Sequence, residues 1–468
     1  MPKLSDICPK AAFLYFLPVD TRVPLKFGAE VTTYVTVARV RVTVVTRDGR
    51  SADGWGETPL SVQWVWPQEG NFEERDQSLK DFCAQLVTAW ARFEHYGDPV
   101  DVGITFQEQV LRPLHAAFNR SRADDDQMPW LAALVCCSLF DLAVHDAFGK
   151  ALDRPVYQTY SGQYLNRPLS DYLEAVNDAR QPFHDRFPCD FLVDRPTSSL
   201  PAWHLVGGLD PVEAAELSGH EPDDGYPVLL RDWIERDGLT CLKVKLRGDD
   251  FDWDCQRLVA VGRIAIETGV RWLTADFNCS VTVPEYVDEI LDRLRDAESR
   301  IYGMLLYVEQ PFPYDLEANP IDVHSVSARK PLFLDESAHD WHLVRLRREL
   351  GWTGVALKTC KTQSGALLSA CWAKAHGMTL MVQDLTNPML AQVPHVLLAA
   401  NVGTIMGVET NAMQFYPDAS QPEAIVHPGL YRRREGRLNL STIGGPGFGY
   451  RESEIKRELP EVAAADGN

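Results

Sequence analysis

Six side chains in this sequence have the types and the order for one kind of chemistry. Lys243 and Lys245 share a short apolar run, Asp276, Glu309 and Asp335 each close a later one, and Lys358 closes the next. Three carboxylates brought together repel one another unless a cation lies between them. Hard oxygen donors in that number suit Mg²⁺, or Mn²⁺ in its place, with positions left for water and substrate. Amines flanking such a cation are placed for proton transfer, because nearby positive charge disfavours the ammonium form and moves a lysine towards the range of a general base. The set suits removal of the proton on carbon next to a carboxylate, a step that lysine alone cannot drive and that a divalent ion makes reachable by stabilising the enediolate. The expected partner is a small-molecule carboxylate substrate.

For the six to meet, the elements carrying them must end on one face. The apolar runs recur at intervals of about 25 to 35 residues, the length of a strand plus a helix. With 202–206 before them, and with 379–382 ending at Gln383 and 404–408 ending at Glu409 after them, they number eight. The segments between, such as 255–268, 284–299, 342–350 and 364–376, carry helical periodicity. Eight βα units close into a barrel whose strand C-termini share one mouth, with Lys245 and Lys358 across it from each other. The fold class is therefore α/β, a (β/α)8-type barrel of the modified TIM kind. Ahead of it the chain is mixed: β-branched residues at 31–46, a turn at 47–50, a returning strand at 54–58, then helical spacing with Phe82, Leu86, Trp90 and Phe93 on one stripe. Asp124, Asp125 and Asp126 are expected at the N-terminus of a long apolar helix over 131–148. The stretch near 162–200 is an insertion without a readable pattern, and the glycines at 444–449 read as a chain reversal, since no helix follows them as a phosphate cradle requires.

Composition narrows the partners. A chain of 468 residues with 45% hydrophobic content suggests two folded domains, and a net charge of −20 with a pI near 5.0 argues against nucleic acid and against an anionic membrane. The ten scattered cysteines, with no CxxC pair, read as reduced thiols, and the apolar run at 11–17 is too short to span a membrane. A cytoplasmic protein is expected.

At Lys243-Val244-Lys245, Asp276-Phe277-Asn278, Glu309-Gln310-Pro311, Asp335-Glu336-Ser337 and Lys358-Thr359-Cys360-Lys361 the chain resembles the enolase superfamily. Within it the match is to the muconate-lactonizing-enzyme subgroup, which includes dipeptide epimerases, o-succinylbenzoate synthases and N-succinylamino acid racemases. Gly54-Trp55-Gly56-Glu57-Thr58, Asp141-Leu142-Ala143-Val144-His145-Asp146 and Gly445-Pro446-Gly447-Phe448-Gly449 resemble the family's α+β capping domain. The resemblance implies a capping domain over 1–165, a catalytic barrel over 166–432, and a segment over 433–468 that returns to the cap. It implies Asp276, Glu309 and Asp335 as magnesium ligands, Lys245 and Lys358 as the acid/base pair, Lys243 as their helper, and a homo-oligomer. Loops near 22–27 and 60–66 would lie over the mouth, where Trp64 and Trp66 either touch substrate or pack between domains. Asn278, Glu336, Gln383, Asp384 and Glu409 are further candidates for substrate contact. The chain departs from the pattern at Thr362-Gln363-Ser364, where the subgroup has paired glycines, and at Glu409-Thr410-Asn411, where dipeptide epimerases carry Asp-x-Asp; it has no histidine at the seventh strand end. The reaction expected is racemisation or epimerisation of an N-acyl amino acid or related acid. The alternatives are a cycloisomerase or syn-dehydratase, and, from another class, a barrel that has lost catalysis.

Overall fold

Alternating β-branched and aromatic residues build the first layer. In the computed structural model, which describes residues 2–27, 30–67 and 71–467, β1 (Ile7–Phe27), β2 (Glu30–Thr46) and β3 (Ser51–Pro59) form an antiparallel meander. The 11–17 run lies inside β1. Pairing of β1 with β2 breaks between Asp20 and Leu25, where Pro24 has no N–H for the ladder, so residues 21–24 leave the sheet.

Helices Phe72–Ala91 and Trp130–Ala151 cover this sheet. The second has the length and apolar composition of a membrane span, yet it is wholly enclosed by protein. Gly54 and Gly56 permit its approach: a Cβ on either would lie 1.9 Å from the Ala143 carbonyl oxygen or 1.8 Å from that of Leu139. Asp146 on the same helix accepts from the backbone N–H of Trp55 at 2.9 Å and of Phe448 at 2.8 Å, tying β3 to the glycine-rich turn. The Asp124–Asp126 run does not cap this helix. It forms a separate 3-10 turn, an extended stretch through Pro129 follows, and Asp126 pairs with Arg122 instead.

Eight parallel strands follow: β4 (Ser199–Val206), β5 (Cys241–Lys245), β6 (Trp272–Asp276), β7 (Leu305–Glu309), β8 (Leu332–Leu334), β9 (Gly354–Leu357), β10 (Thr379–Val382) and β11 (Val408–Glu409). β4 to β10 pair in chain order and β11 pairs with β4, while between β10 and the segment before β11 the Ile405 N–H donates to the Leu380 carbonyl at 2.8 Å. β11 is shorter than the expected 404–408 run, because the Thr404 hydroxyl donates to the Gly407 carbonyl and Gly407 turns at φ 61°. Side chains alternate across each strand. Trp203, Cys241, Tyr307, Phe333 and Met381 fill the inside, with Tyr307 stacked on Phe333 at 4.2 Å. Two residues further along the same strands come Lys243, Glu309, Asp335 and Gln383, on the same inner face. His204, one step out of phase with Trp203, packs outward on Trp233.

The 162–200 insertion lies on the outside of the barrel. Trp372 donates to the Glu174 carbonyl at 2.9 Å and Lys374 to that of Phe191, so the insertion wraps the helix Gln363–Ala375 and contributes nothing to the mouth cavity. The tail adds β12 (Arg437–Asn439) antiparallel to β4, then β13 (Ala464–Asp466) to the free edge of β1.

The close approach at Gly56 yields a test of this packing. Gly56→Ala is expected to destabilise the protein by about 1–3 kcal/mol or more through overpacking, seen as a lower denaturant midpoint; an unchanged midpoint would contradict the contact.

Candidate active site

The strand C-termini deliver their charged side chains into one buried cup. Lys243 Nζ lies 2.9 Å from Asp276 Oδ2, 2.7 Å from Glu309 Oε1 and 3.0 Å from Glu409 Oε2. Lys245 Nζ donates to Asp276 Oδ2 at 2.6 Å and to Asn278 Oδ1 at 2.8 Å. Across the barrel, Lys358 Nζ lies 3.1 Å from Asp335 Oδ2 and donates to the Asp384 carbonyl at 2.9 Å. Lys361, which the sequence reading did not single out, reaches the other Asp335 oxygen at 3.4 Å. Its spacing of three from Lys358, one turn of the 3-10 segment Thr359–Lys361, was the available signal.

Above the cup lies a cavity lined by Lys243, Lys245, Asp335, Lys358, Asp384 and Glu409 below and by the capping segments above. Thr21, Leu25 and Phe27 come from the end of β1, which extends through the expected loop near 22–27, and Ser61 and Trp64 from the second loop. The Trp64 indole donates to Glu336 Oε1 at 3.0 Å, and the Lys358 ammonium sits 5.2 Å from its ring. Trp66, in contrast, is fully buried in the capping core against Leu79 and its neighbours and does not line this cavity. Gln383 also does not line this cavity. It lies beneath the cup and donates to Glu309 and to the Tyr307 hydroxyl. Asn278 and Glu336 line a neighbouring cavity on the other side of Trp64. Asn411 donates to both Glu409 Oε1 and Asp384 Oδ1, at 2.7 and 3.1 Å.

Charge is unbalanced here. Asp276, Glu309, Asp335, Glu336, Asp384 and Glu409 face Lys243, Lys245, Lys358 and Lys361, each of them at most 6% exposed. The carboxyl groups exceed the ammonium groups by two. Burial opposes ionisation throughout, but Lys243 and Lys245 hold Asp276 below the ordinary aspartate range, and Lys358 and Lys361 do the same for Asp335. Burial and the Asp276 carboxylate push Glu309 well up, and burial and Glu409 push Asp384 up to about 7. Although burial works against the ammonium form of Lys358, Asp335 raises its pKa, and Asp276 and Glu309 do so for Lys243. The downward shift expected of these lysines beside a cation is thus reversed where carboxylates alone surround them. In donor type and in charge excess the set fits a hard dication. Among the described residues no three His, Cys, Asp or Glu side chains are gathered at ligand spacing, because lysines stand between the carboxylates.

The turn carrying Lys358 and Lys361 is held by the cap. Thr362 adopts φ 72° and ψ 145°, a region nearly reserved for glycine. Ser364, two residues on, donates through its N–H and hydroxyl to Asp141 at 3.0 and 2.8 Å, and His145 Nε2 lies 2.9 Å from the same hydroxyl. Burial lowers the His145 pKa to about 3, so this imidazole is neutral. The capping-domain motif therefore pins the backbone that aims both lysines.

Residues 227–455, from the first barrel helix into the tail, match the family described as enolase C-terminal domain-like. The whole capped barrel has the fold of the N-succinyl Arg/Lys racemase of Bacillus cereus, over 98% of this chain and 99% of that one, at 17% identity and a TM-score of 0.61. A mandelate racemase/muconate lactonizing protein from Herpetosiphon aurantiacus aligns over 94% and 98%, at 20% identity and 0.58. A dipeptide epimerase from Enterococcus faecalis, solved with Mg and the dipeptide L-Leu-L-Tyr, aligns over 94% and 99%, at 15% identity and 0.58. At these identities the likeness is one of fold. No curated protein sequence matches the chain.

Asp384 gives the cup a pH signature. Its folded pKa near 7 lies above the ordinary 3.8, so the folded chain binds this proton more tightly than the unfolded one. Its stabilising contribution is full below 3.8 and is lost as pH rises through about 7. With chelator present, Asp384→Asn is expected to show a smaller loss of stability than the parent between about pH 5 and about pH 8. Equal slopes in the two denaturation series would place that proton elsewhere.

Proposed function

We propose that this enolase-family chain is a divalent-metal-dependent isomerase that removes and returns the proton α to a substrate carboxylate, acting as a racemase or epimerase of an N-acyl amino acid or related acid. The observation that carries this reading is the placement of Lys245 and Lys358 on the second and sixth of eight barrel strands, facing one cavity from opposite walls. An ammonium has three N–H directions. Asp276 and Asn278 occupy two on Lys245, and the Asp384 carbonyl occupies one on Lys358, which also pairs with Asp335 at 3.1 Å, so each amine keeps a direction for the cavity.

Asp276, Glu309 and Asp335 are the residues that would hold a magnesium ion. Such an ion, when bound, supplies Lewis-acid stabilisation of the enediolate and offsets the carboxylate field on the lysines. Racemisation needs one amine neutral and the other charged. The neutral amine takes the α-proton from one face, and the opposite ammonium returns a proton to the other. Lys243, between Asp276, Glu309 and Glu409, holds positive charge at the cup floor, where the substrate carboxylate would be received. The raised pKa of Lys358 also supports a second reading, in which it stays an ammonium that stabilises the intermediate while Lys245 alone acts as base, as in a cycloisomerase or syn-dehydratase.

Deuterium wash-in separates these readings. With Mg²⁺ in D₂O and both enantiomers of an N-acyl amino acid, the parent is expected to exchange and interconvert them. Lys245→Ala and Lys358→Ala should each lose about 10²-fold or more in racemisation, while keeping α-exchange of one enantiomer only, opposite in the two variants. Exchange of both enantiomers by either single variant would sink the two-base assignment.

A further inference from the structure

The cavity's upper wall bears on what the substrate carries besides its reacting carboxylate. We infer that the substrate is a monocarboxylate whose remaining substituents are uncharged and largely apolar, with neither a second carboxylate nor a cationic group. This inference rests on the reading of the cup as a proton-transfer site.

Among the described lining residues, every charged group belongs to the floor. The wall above it is uncharged: Leu25, Phe27, Val35, Trp64, Leu205 and Leu385 lie there, interspersed with threonine, serine and tyrosine side chains. A second carboxylate seated there would lose its hydration with no counter-ion at hand, which costs several kcal/mol. The guanidinium nearest on the capping loops, that of Arg22, is committed elsewhere. It donates to both Asp224 oxygens at 2.6 and 2.9 Å and to the carbonyls of Pro227 and Tyr226 at 3.1 and 3.2 Å, and it lines a separate cavity.

A cationic substituent fares no better. Asp384 accepts from the Asn411 N–H, the Asn411 amide and the Asn387 N–H at 2.8, 3.1 and 3.2 Å. Glu409 is taken up by Lys243 and Asn411. An ammonium or guanidinium entering there would have to compete with these donors for both carboxylates. A neutral handle does exist: Thr32 lines the cavity and is 5% exposed, and its hydroxyl oxygen has no hydrogen-bond partner among the described residues. A hydroxyl so placed suits an uncharged polar atom such as an acyl carbonyl.

The test compares matched probes with one amino acid framework: N-acetyl-leucine and N-butanoyl-leucine against N-succinyl-leucine and Nα-acetyl-lysine. α-Proton exchange is followed by NMR in D₂O with Mg²⁺, for the parent and for Leu25→Arg. The two uncharged probes are expected to exceed the two charged ones in kcat/KM by at least about tenfold, and Leu25→Arg to shift the ratio towards N-succinyl-leucine by a similar factor. Equal or faster exchange of either charged probe by the parent would overturn the inference while leaving the cup reading intact. If no probe exchanges, the cup reading fails and the inference falls with it.

Discussion

Packing more negative than positive groups into one dry cup is the constraint around which the rest of this molecule is built. Each buried ion carries a desolvation penalty of several kcal/mol that only close counter-charges and hydrogen bonds offset. The surroundings reflect this. Gln383 donates to Glu309 from below, Asn411 bridges Glu409 and Asp384, and the Gln310 side chain accepts from the backbone N–H and the hydroxyl around Asp335 and Ser337. The stacked aromatic layer beneath keeps water from rising through the barrel. The residual excess is what makes the cup receptive to a cation, and it also leaves Glu309 and Asp384 with raised affinity for protons.

The cap is a working wall of this cup as well as a cover. Its sheet meets the barrel through a buried cluster in which Arg39 pairs with Glu57 and Glu423, while Glu57 accepts from the Ala391 N–H. Its long helix reaches across to Ser364 and fixes an unfavourable backbone turn at Thr362. Its loops place Phe27 and Trp64 beside the amines of Lys245 and Lys358. Amine position, cavity shape and domain docking are thus set by one group of contacts.

The barrel was legible because its strands are buried on both faces and end in charge. Each short apolar run stood out, and each after the first closed on a charged residue or a glutamine. Lys243, Lys245, Asp276, Glu309, Asp335 and Lys358 do enter one cup, and Asp384, Glu409 and Trp64 line the cavity above it. Less visible were features that depend on what lies opposite in space. Trp64 and Trp66 are two residues apart, but only the first faces the cavity. Gln383 ends its strand as its neighbours do, yet it is absorbed by Glu309 beneath. The acidic run at 124–126 has the composition of a helix cap, but Pro129 stands between it and the helix. The 162–200 insertion has no periodicity because it follows the surface of another helix rather than forming one of its own.

The pairing of β1 with β13 has a consequence for how the molecule comes into being. Ala12, Phe13 and Leu14 on the outer edge of β1 pair with residues 464–466, which a ribosome delivers only after the barrel strands have been made. Until then a long strand presents unpaired amides and carbonyls, the surface most prone to mispairing with another chain. A growing polypeptide must therefore carry these backbone groups unpaired until residues 464–466 have emerged.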